Sequence, residues 1–183
     1  KVVEYLAREY NVINSKLASE LITDKSLMVA VDVSKEMLLS EDTKKLLPKF
    51  NDIFLIDHHK LDERSIKTEN TFVNDKLSST CEEISRLLCL YGIKVTPEIA
   101  NYLLAGIHLD TNRLTKNTTP DTFKIVARLM QSGASNSVID NWFTEDFESD
   151  KRVLELVSKA NIYKYSFAIV LAEDDCEYTR EEL

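Results

Sequence analysis

Two short apolar runs, each closed by an aspartate, most constrain what this chain can fold into. Leu27–Val31 reads LMVAV and leads into Asp32, and Ile53–Ile56 reads IFLI and leads into Asp57. Continuous apolar runs of this length are typical of buried parallel strands. A helix is predicted between them by the serine cap at Ser40, the acidic residues after it and the proline near its end. The sequence therefore predicts a right-handed β-α-β unit within an α/β fold.

Helical signals dominate most of the remaining chain. Apolar spacing, threonine-proline starts and glycine stops predict further helices. These lie within residues 1–25 and at 79–91, 96–108, 119–133, 136–143 and 149–163, and a strand is predicted over 167–171. The pattern fits a parallel sheet flanked by helices.

Charge and cysteine content limit the functional classes. The chain has 23 basic and 31 acidic residues, a formal charge of −8 at pH 7. Such a chain has no general attraction for duplex nucleic acid or an anionic membrane. A phosphate substrate would need a local positive charge, for which a metal ion is the obvious source. No apolar run approaches the ~20 residues of a membrane span. The three cysteines form no C-x-x-C pair, which favours reduced thiols and a cytoplasmic location.

The predicted strand ends carry the residues best suited to chemistry. Ligands of open α/β sheets bind outside the carboxyl ends of the strands, so Asp32 and Asp57 are expected to share one crevice. Asp57 is followed by His58 and His59. In an extended stretch their side chains would point to opposite faces and have different roles. One could ligate a metal while the other faces a substrate or is held by Asp57. The alternative is a pair of hydrogen-bonded histidines in a turn, with no further role.

Asp110 is a third acidic candidate. It ends the apolar stretch Ile99–Leu109, where a carboxylate opposes the helix dipole, and a nearby cation would offset that cost of about 0.3–1 kcal/mol. Aspartate and histidine ligands suit Mn²⁺ and similar ions. Two such ions about 3.5–4 Å apart can activate a water and neutralise charge on a phosphoryl group.

Five segments, in this order, resemble the DHH phosphoesterase family. They are LMVAVDVS (27–34), FLIDHHK (54–60), LSSTCEEI (77–84), LLAGIHLDTNRLT (103–115) and TFKIVARLMQSGAS (122–135). The resemblance is strongest to the DHH domain of bacterial cyclic-di-AMP phosphodiesterases. It implies a parallel α/β sheet with flanking helices, a linker helix and a second, smaller α/β domain.

The resemblance also implies roles for individual residues. Asp32 would bridge two Mn²⁺ ions, and His58 and Asp110 would ligate metal. His59 would contact the scissile phosphate. Asp57 would orient a histidine by a hydrogen bond, without itself ligating the metal.

Domain boundaries follow from the same resemblance. Residues 1–148 would form a DHH domain without its first strand and first motif, a histidine followed by two aspartates. Residues 149–163 would form the linker helix, and 164–183 the beginning of the DHH-associated domain. The chain is thus expected to be truncated at both ends. Near Lys116 it reads KNTTPDTF where the family usually has an arginine-threonine-glycine stretch.

Together with the resemblance, these observations predict an Mn²⁺-dependent phosphodiesterase domain that hydrolyses cyclic-di-AMP. Some metal ligands and part of the substrate pocket are expected to lie outside this sequence, so both ions are expected only in the complete domain, and the prediction allows for a fragment that is inactive alone. A second hypothesis keeps the site but makes the substrate a short oligoribonucleotide or 3′-phosphoadenosine 5′-phosphate. A third is a non-catalytic module that binds a nucleotide or a partner protein. The expected partners are a cyclic dinucleotide or short oligonucleotide, with no duplex nucleic acid and no membrane contact from this segment. The prediction allows a membrane anchor elsewhere in the full-length protein. A homodimer is one assembly that this interpretation allows.

Overall fold

The structure is a computed structural model, which describes residues 12–143 and 147–171. The chain divides into two compact units, Lys1–Trp142 and Phe143–Leu183. Within the described part of the chain, no helix is long and apolar enough to cross a membrane.

A three-stranded parallel sheet organises the first unit. Its strands are β1 (Leu27–Val31), β2 (Asp52–Asp57) and β3 (Asn70–Val73), in the order β1-β2-β3. Val31 lies opposite Ile56, which in turn lies opposite Phe72. The α/β class with a helix-flanked parallel sheet is confirmed, as are the first two strands. The sequence did not predict β3, which is a short edge strand with mostly exposed side chains.

Helices follow the predicted caps. They are α1 (Ser15–Leu21), α2 (Glu41–Lys44), α3 (Thr80–Leu90), α4 (Pro97–Asp110), α5 (Pro120–Gln131) and α6 (Asn136–Phe143). The side chains of Ser40, Ser79, Thr96 and Thr119 each accept a backbone N–H in the first helical turn. The helix before Pro48 is shorter than expected, because α2 ends at Lys44 and a separate 3₁₀ turn spans Leu47–Lys49.

Buried side chains explain why this arrangement holds. On one face of the sheet, Ala30, Leu55 and Ile66 form a core cluster. Among the helices, α3, α4 and α5 pack against one another, and α3 also packs against β2. Leu104 and Ile107 of α4 are fully buried. Each such side chain contributes about 1.5–3 kcal/mol by leaving water. The core therefore fixes α3 and α4 beside the sheet, which positions the residues at their ends.

The second unit contains α7 (Phe147–Ser158) and a hairpin of β4 (Asn161–Tyr163) and β5 (Phe167–Ile169). The prediction of a helix over 149–163 was wrong at its end, because residues 161–163 pair with β5. The predicted strand over 167–171 is present but shorter.

Candidate metal centre

The cluster of acidic and histidine side chains lies at the carboxyl end of the sheet. Asp32 follows β1 directly, Asp57 is the last residue of β2, and His58 and His59 come next. The Asp32 amide donates to the Ile56 carbonyl at 3.0 Å, so the two strand ends stay in register. Asp32 also has a φ of 60°, a left-handed conformation that few residues other than glycine adopt.

Asp57 turns the chain immediately after β2. Its side chain is fully buried, and its Oδ1 accepts the amides of His58 at 2.6 Å and His59 at 2.9 Å. The same oxygen lies 2.7 Å from Nδ1 of His59. The chain is therefore not extended here, and the prediction that the two histidines point to opposite faces was wrong. Their rings lie side by side, with centroids 4.2 Å apart.

The two imidazoles nevertheless have different surroundings. Nε2 of His58 lies 3.7 Å from Oδ1 of Asp32 and 3.8 Å from Oδ2 of Asp110, the last residue of α4. His59 is held by Asp57 and is more exposed, at 58% against 15% for His58. The structure thus brings together all five residues singled out in the sequence.

The pKa values of the acids reflect their crowding. Burial would raise the pKa of Asp57, but hydrogen bonds from His59 and His58 outweigh it and hold that pKa below its ordinary value. Burial, and then the negative charge of Asp32, raise the pKa of Asp110. Burial raises the pKa of the nearby Cys81 thiol to about 11, with Asp110 and Asp32 adding to the effect. The site therefore has a negative potential that would favour a bound cation.

The donor set fits a divalent cation. Asp32, Asp57, His58 and His59 each offer a ligand atom, and these atoms lie within 4.8 Å of one another. Oδ2 of Asp57 is buried and has no hydrogen-bond partner among the described residues. The side chain of Ser34 also interacts with the Asp57 carboxylate and helps to lower its pKa. Carboxylate oxygens and imidazole nitrogens are ligands that Mn²⁺ and related ions accept.

A cavity of about 640 Å³ opens beside this cluster. It is lined by His58, His59, Asp110 and the segments 75–78 and 117–119. A separate cavity of about 520 Å³ between α3 and α5 contains none of the cluster's residues. The larger cavity is therefore the space in which a substrate could meet the acids and histidines.

The start of α3 contributes hydrogen bonds to the site that the sequence did not predict, because the sequence indicated only a helix cap there. Ser79 is indeed the cap, but the Thr80 hydroxyl donates to Oδ1 of Asp32 at 2.7 Å. Ser78 and Thr122 bond to the buried Glu82. A serine-threonine run before a helix is so common as a cap that no further signal marks these contacts.

Replacement of Thr80 by valine tests its contact with Asp32. Valine fills the same space without the hydroxyl, so Asp32 would lose one group that orients it. We expect Mn²⁺ affinity to fall about tenfold, as is usual when a group supporting a metal ligand is lost. Thr80→Ser, which keeps the hydroxyl, is the control. Calorimetric titration with Mn²⁺ measures the affinity of both variants. Equal Mn²⁺ affinities for Thr80→Val and Thr80→Ser would contradict the role of the hydroxyl.

No family model matches this chain. The cyclic-di-AMP phosphodiesterase GdpP of Bacillus subtilis (strain 168) is 31% identical over 165 residues, which are 88% of this chain and 25% of that protein. A membrane protein–large ribosomal subunit bL9 fusion protein of Aster yellows witches'-broom phytoplasma (strain AYWB) is 29% identical over 90% of this chain and 19% of its own length. This chain is a homologue of the cyclic-di-AMP phosphodiesterases.

The resemblance to the DHH phosphoesterases is thereby confirmed, and it supports a hydrolase of this type. An exopolyphosphatase-related protein of Bacteroides fragilis has the same fold, with a TM-score of 0.71 at 21% identity over 81% of this chain and 45% of that one. This chain spans only about a fifth of the length of the phytoplasma fusion protein and a quarter of the length of GdpP.

Proposed function

We propose that this DHH homologue uses two Mn²⁺ ions to hydrolyse cyclic-di-AMP. The observation that carries the proposal is the position of the His58 imidazole between the carboxylates of Asp32 and Asp110, at 3.7 and 3.8 Å. The names of the homologues supply the substrate class. The cytoplasmic location expected from the cysteines is part of this proposal.

Asp32, His58 and Asp110 would hold the metal ions. Oδ1 of Asp57 is engaged by His58 and His59, whereas its buried Oδ2 remains available as a further ligand. When bound, the ions would supply an activated water and neutralise charge on the phosphoryl group. They would also solve the electrostatic problem of a substrate anion approaching a chain with a net charge of −8.

His59 would contact the scissile phosphate. Its Nδ1 is occupied by Asp57 at 2.7 Å, which fixes the ring and leaves Nε2 for a ligand in the adjoining cavity. Because Asp57 holds one nitrogen of the ring, the other nitrogen would be presented to a phosphate oxygen in a fixed direction. The Asp57–His59 pair would therefore position an imidazole nitrogen next to the metal ligands.

A combined binding and turnover measurement tests the proposal. We expect calorimetry to show Mn²⁺ binding to the 183-residue chain, and Mn²⁺-dependent opening of cyclic-di-AMP to a linear dinucleotide by chromatography. Asp52→Asn is a suitable control, because Asp52 is exposed at the opposite end of the strand that carries Asp57. Absence of both Mn²⁺ binding and hydrolysis would overturn the proposal.

The same assay separates the alternative substrates. A short oligoribonucleotide and 3′-phosphoadenosine 5′-phosphate are compared with cyclic-di-AMP under identical conditions. A higher kcat/KM for either would keep the metal chemistry and reject cyclic-di-AMP as substrate. Nucleotide binding without any hydrolysis would favour a non-catalytic module.

A further inference from the structure

We propose that Glu82 is a positioning residue that joins two wall segments of the substrate cavity. This inference rests on the proposed function, because it assigns that site a determinant of substrate binding. The two segments are 75–78, which leads into α3, and 117–119, which leads into α5. Glu82 itself lies in the first turn of α3 and is fully buried.

One oxygen of Glu82 receives hydrogen bonds from both segments. Oε2 accepts the Ser78 amide at 3.1 Å and the Ser78 hydroxyl at 2.6 Å. It also accepts the hydroxyl of Thr122 at 3.0 Å, from a residue 40 positions away in the chain. Ser78 lines the cavity directly, and Thr122 follows the lining residue Thr119 by one helical turn.

The single proton on each hydroxyl gives these bonds a direction. Since Thr122 donates its proton to Glu82, its oxygen must accept from Thr119, whose amide lies 3.0 Å and whose hydroxyl lies 3.2 Å away. The Thr119 hydroxyl is thereby oriented through Thr122. In the same way Ser78, having given its proton to Glu82, can only accept hydrogen bonds from a ligand.

Local helix capping does not account for Glu82. Ser79 and Glu82 have the spacing of a capping box, in which the glutamate would bond the amide of the cap residue. Here Ser79 does cap the helix, by accepting the Glu82 amide at 3.0 Å, but the glutamate side chain bonds Ser78 and Thr122 instead. It costs free energy to bury the Glu82 carboxylate, whose Oε1 has no hydrogen-bond partner among the described residues. In return, its other oxygen connects two segments that are distant in the chain.

Two substitutions at Thr122 test the proposal, Thr122→Val and Thr122→Ser. Valine keeps the shape and removes the hydroxyl, whereas serine keeps the hydroxyl. We expect KM for cyclic-di-AMP to rise about tenfold in Thr122→Val, because a tenfold change corresponds to the loss of one hydrogen bond to a charged group. We expect kcat and Mn²⁺ affinity to change by less than about twofold, and Thr122→Ser to resemble the unaltered chain.

Amide hydrogen exchange adds a readout that does not need turnover. The Thr119 amide, which donates to Thr122, should exchange faster in Thr122→Val but not in Thr122→Ser. Glu82→Gln provides a second variant, in which the Ser78 amide should also lose protection. Circular dichroism melts establish that each variant is folded before its kinetics are compared.

The outcomes distinguish this inference from the proposed function. An unaltered chain that neither binds nor hydrolyses cyclic-di-AMP would overturn the proposed function and this inference with it. An active chain in which Thr122→Val and Glu82→Gln keep the original KM would overturn the inference alone. So would equal losses in Thr122→Val and Thr122→Ser, because packing rather than the hydroxyl would then be responsible.

Discussion

His58→Ala is expected to weaken Mn²⁺ binding about 100-fold or more and, as a consequence, to remove hydrolysis. The His58 imidazole is mostly buried, and its Nε2 faces the carboxylates of Asp32 and Asp110. Alanine would remove the imidazole that lies between these two acids, and burial together with the negative charge of Asp32 already raises the pKa of Asp110. We expect affinity for Mn²⁺ to fall by about 100-fold or more in a calorimetric titration, at the upper end of what ligand and supporting groups contribute.

His59→Ala is the matched comparison, because the two rings lie 4.2 Å apart at the same strand end. If His59 contacts phosphate rather than serving chiefly as a ligand, this variant should still bind Mn²⁺ while kcat falls about 100-fold. Equal loss of Mn²⁺ binding in both variants would contradict the division of roles. Unchanged hydrolysis in His58→Ala would contradict the metal centre itself.

Asp57→Asn is expected to lower both stability and activity. The buried Asp57 accepts two amides and the His59 ring on a single oxygen. An asparagine has no charge to strengthen these bonds, and its amide would place two donors in a buried site. We expect the free energy of unfolding at pH 7 to fall by about 1–3 kcal/mol. Urea denaturation measures this, with exposed Asp52→Asn as the control.

The stability difference between the unaltered chain and Asp57→Asn should depend on pH. The folded pKa of Asp57 lies below its ordinary value, so its contribution is complete above the unfolded pKa of about 4. It is lost as pH falls through the lower, folded pKa. The difference should therefore be full at pH 7 and shrink in denaturation curves recorded at increasingly acidic pH. A difference that stays constant below pH ~4 would show that the charge of Asp57 is not its cause.

Fold features with strong local chemistry were predictable from the sequence. The strands ending in Asp32 and Asp57 came from uninterrupted apolar runs, and α4 and α5 came from their threonine-proline starts. Strand β3 gave no such signal, because an exposed edge strand needs no apolar run. The turn of the hairpin after α7 was not predictable either. Lys164 and Tyr165 form it in left-handed conformations, and the sequence has no glycine or asparagine there to indicate a turn.

For the candidate site, the sequence indicated which residues would lie close together, but not the orientation of their side chains or their hydrogen bonds. Parallel strand ends bring Asp32 and Asp57 together whatever the loops do. The side-by-side histidines depend on the Asp57 carboxylate, which captures both following amides and turns the chain. The contacts of Thr80 and Glu82 join residues 48 and 40 positions apart, and no local pattern encodes such distances.

If a cation binds beside Asp32 as proposed, the left-handed backbone at this residue would link occupancy of the site to the stability of the domain. Without a cation, the fold bears this unfavourable conformation together with the repulsion between Asp32 and Asp110. A cation that binds only the native arrangement would draw the folding equilibrium toward it by mass action. The cell's supply of divalent metal would then set how long such a protein survives proteolysis, as well as how fast it works.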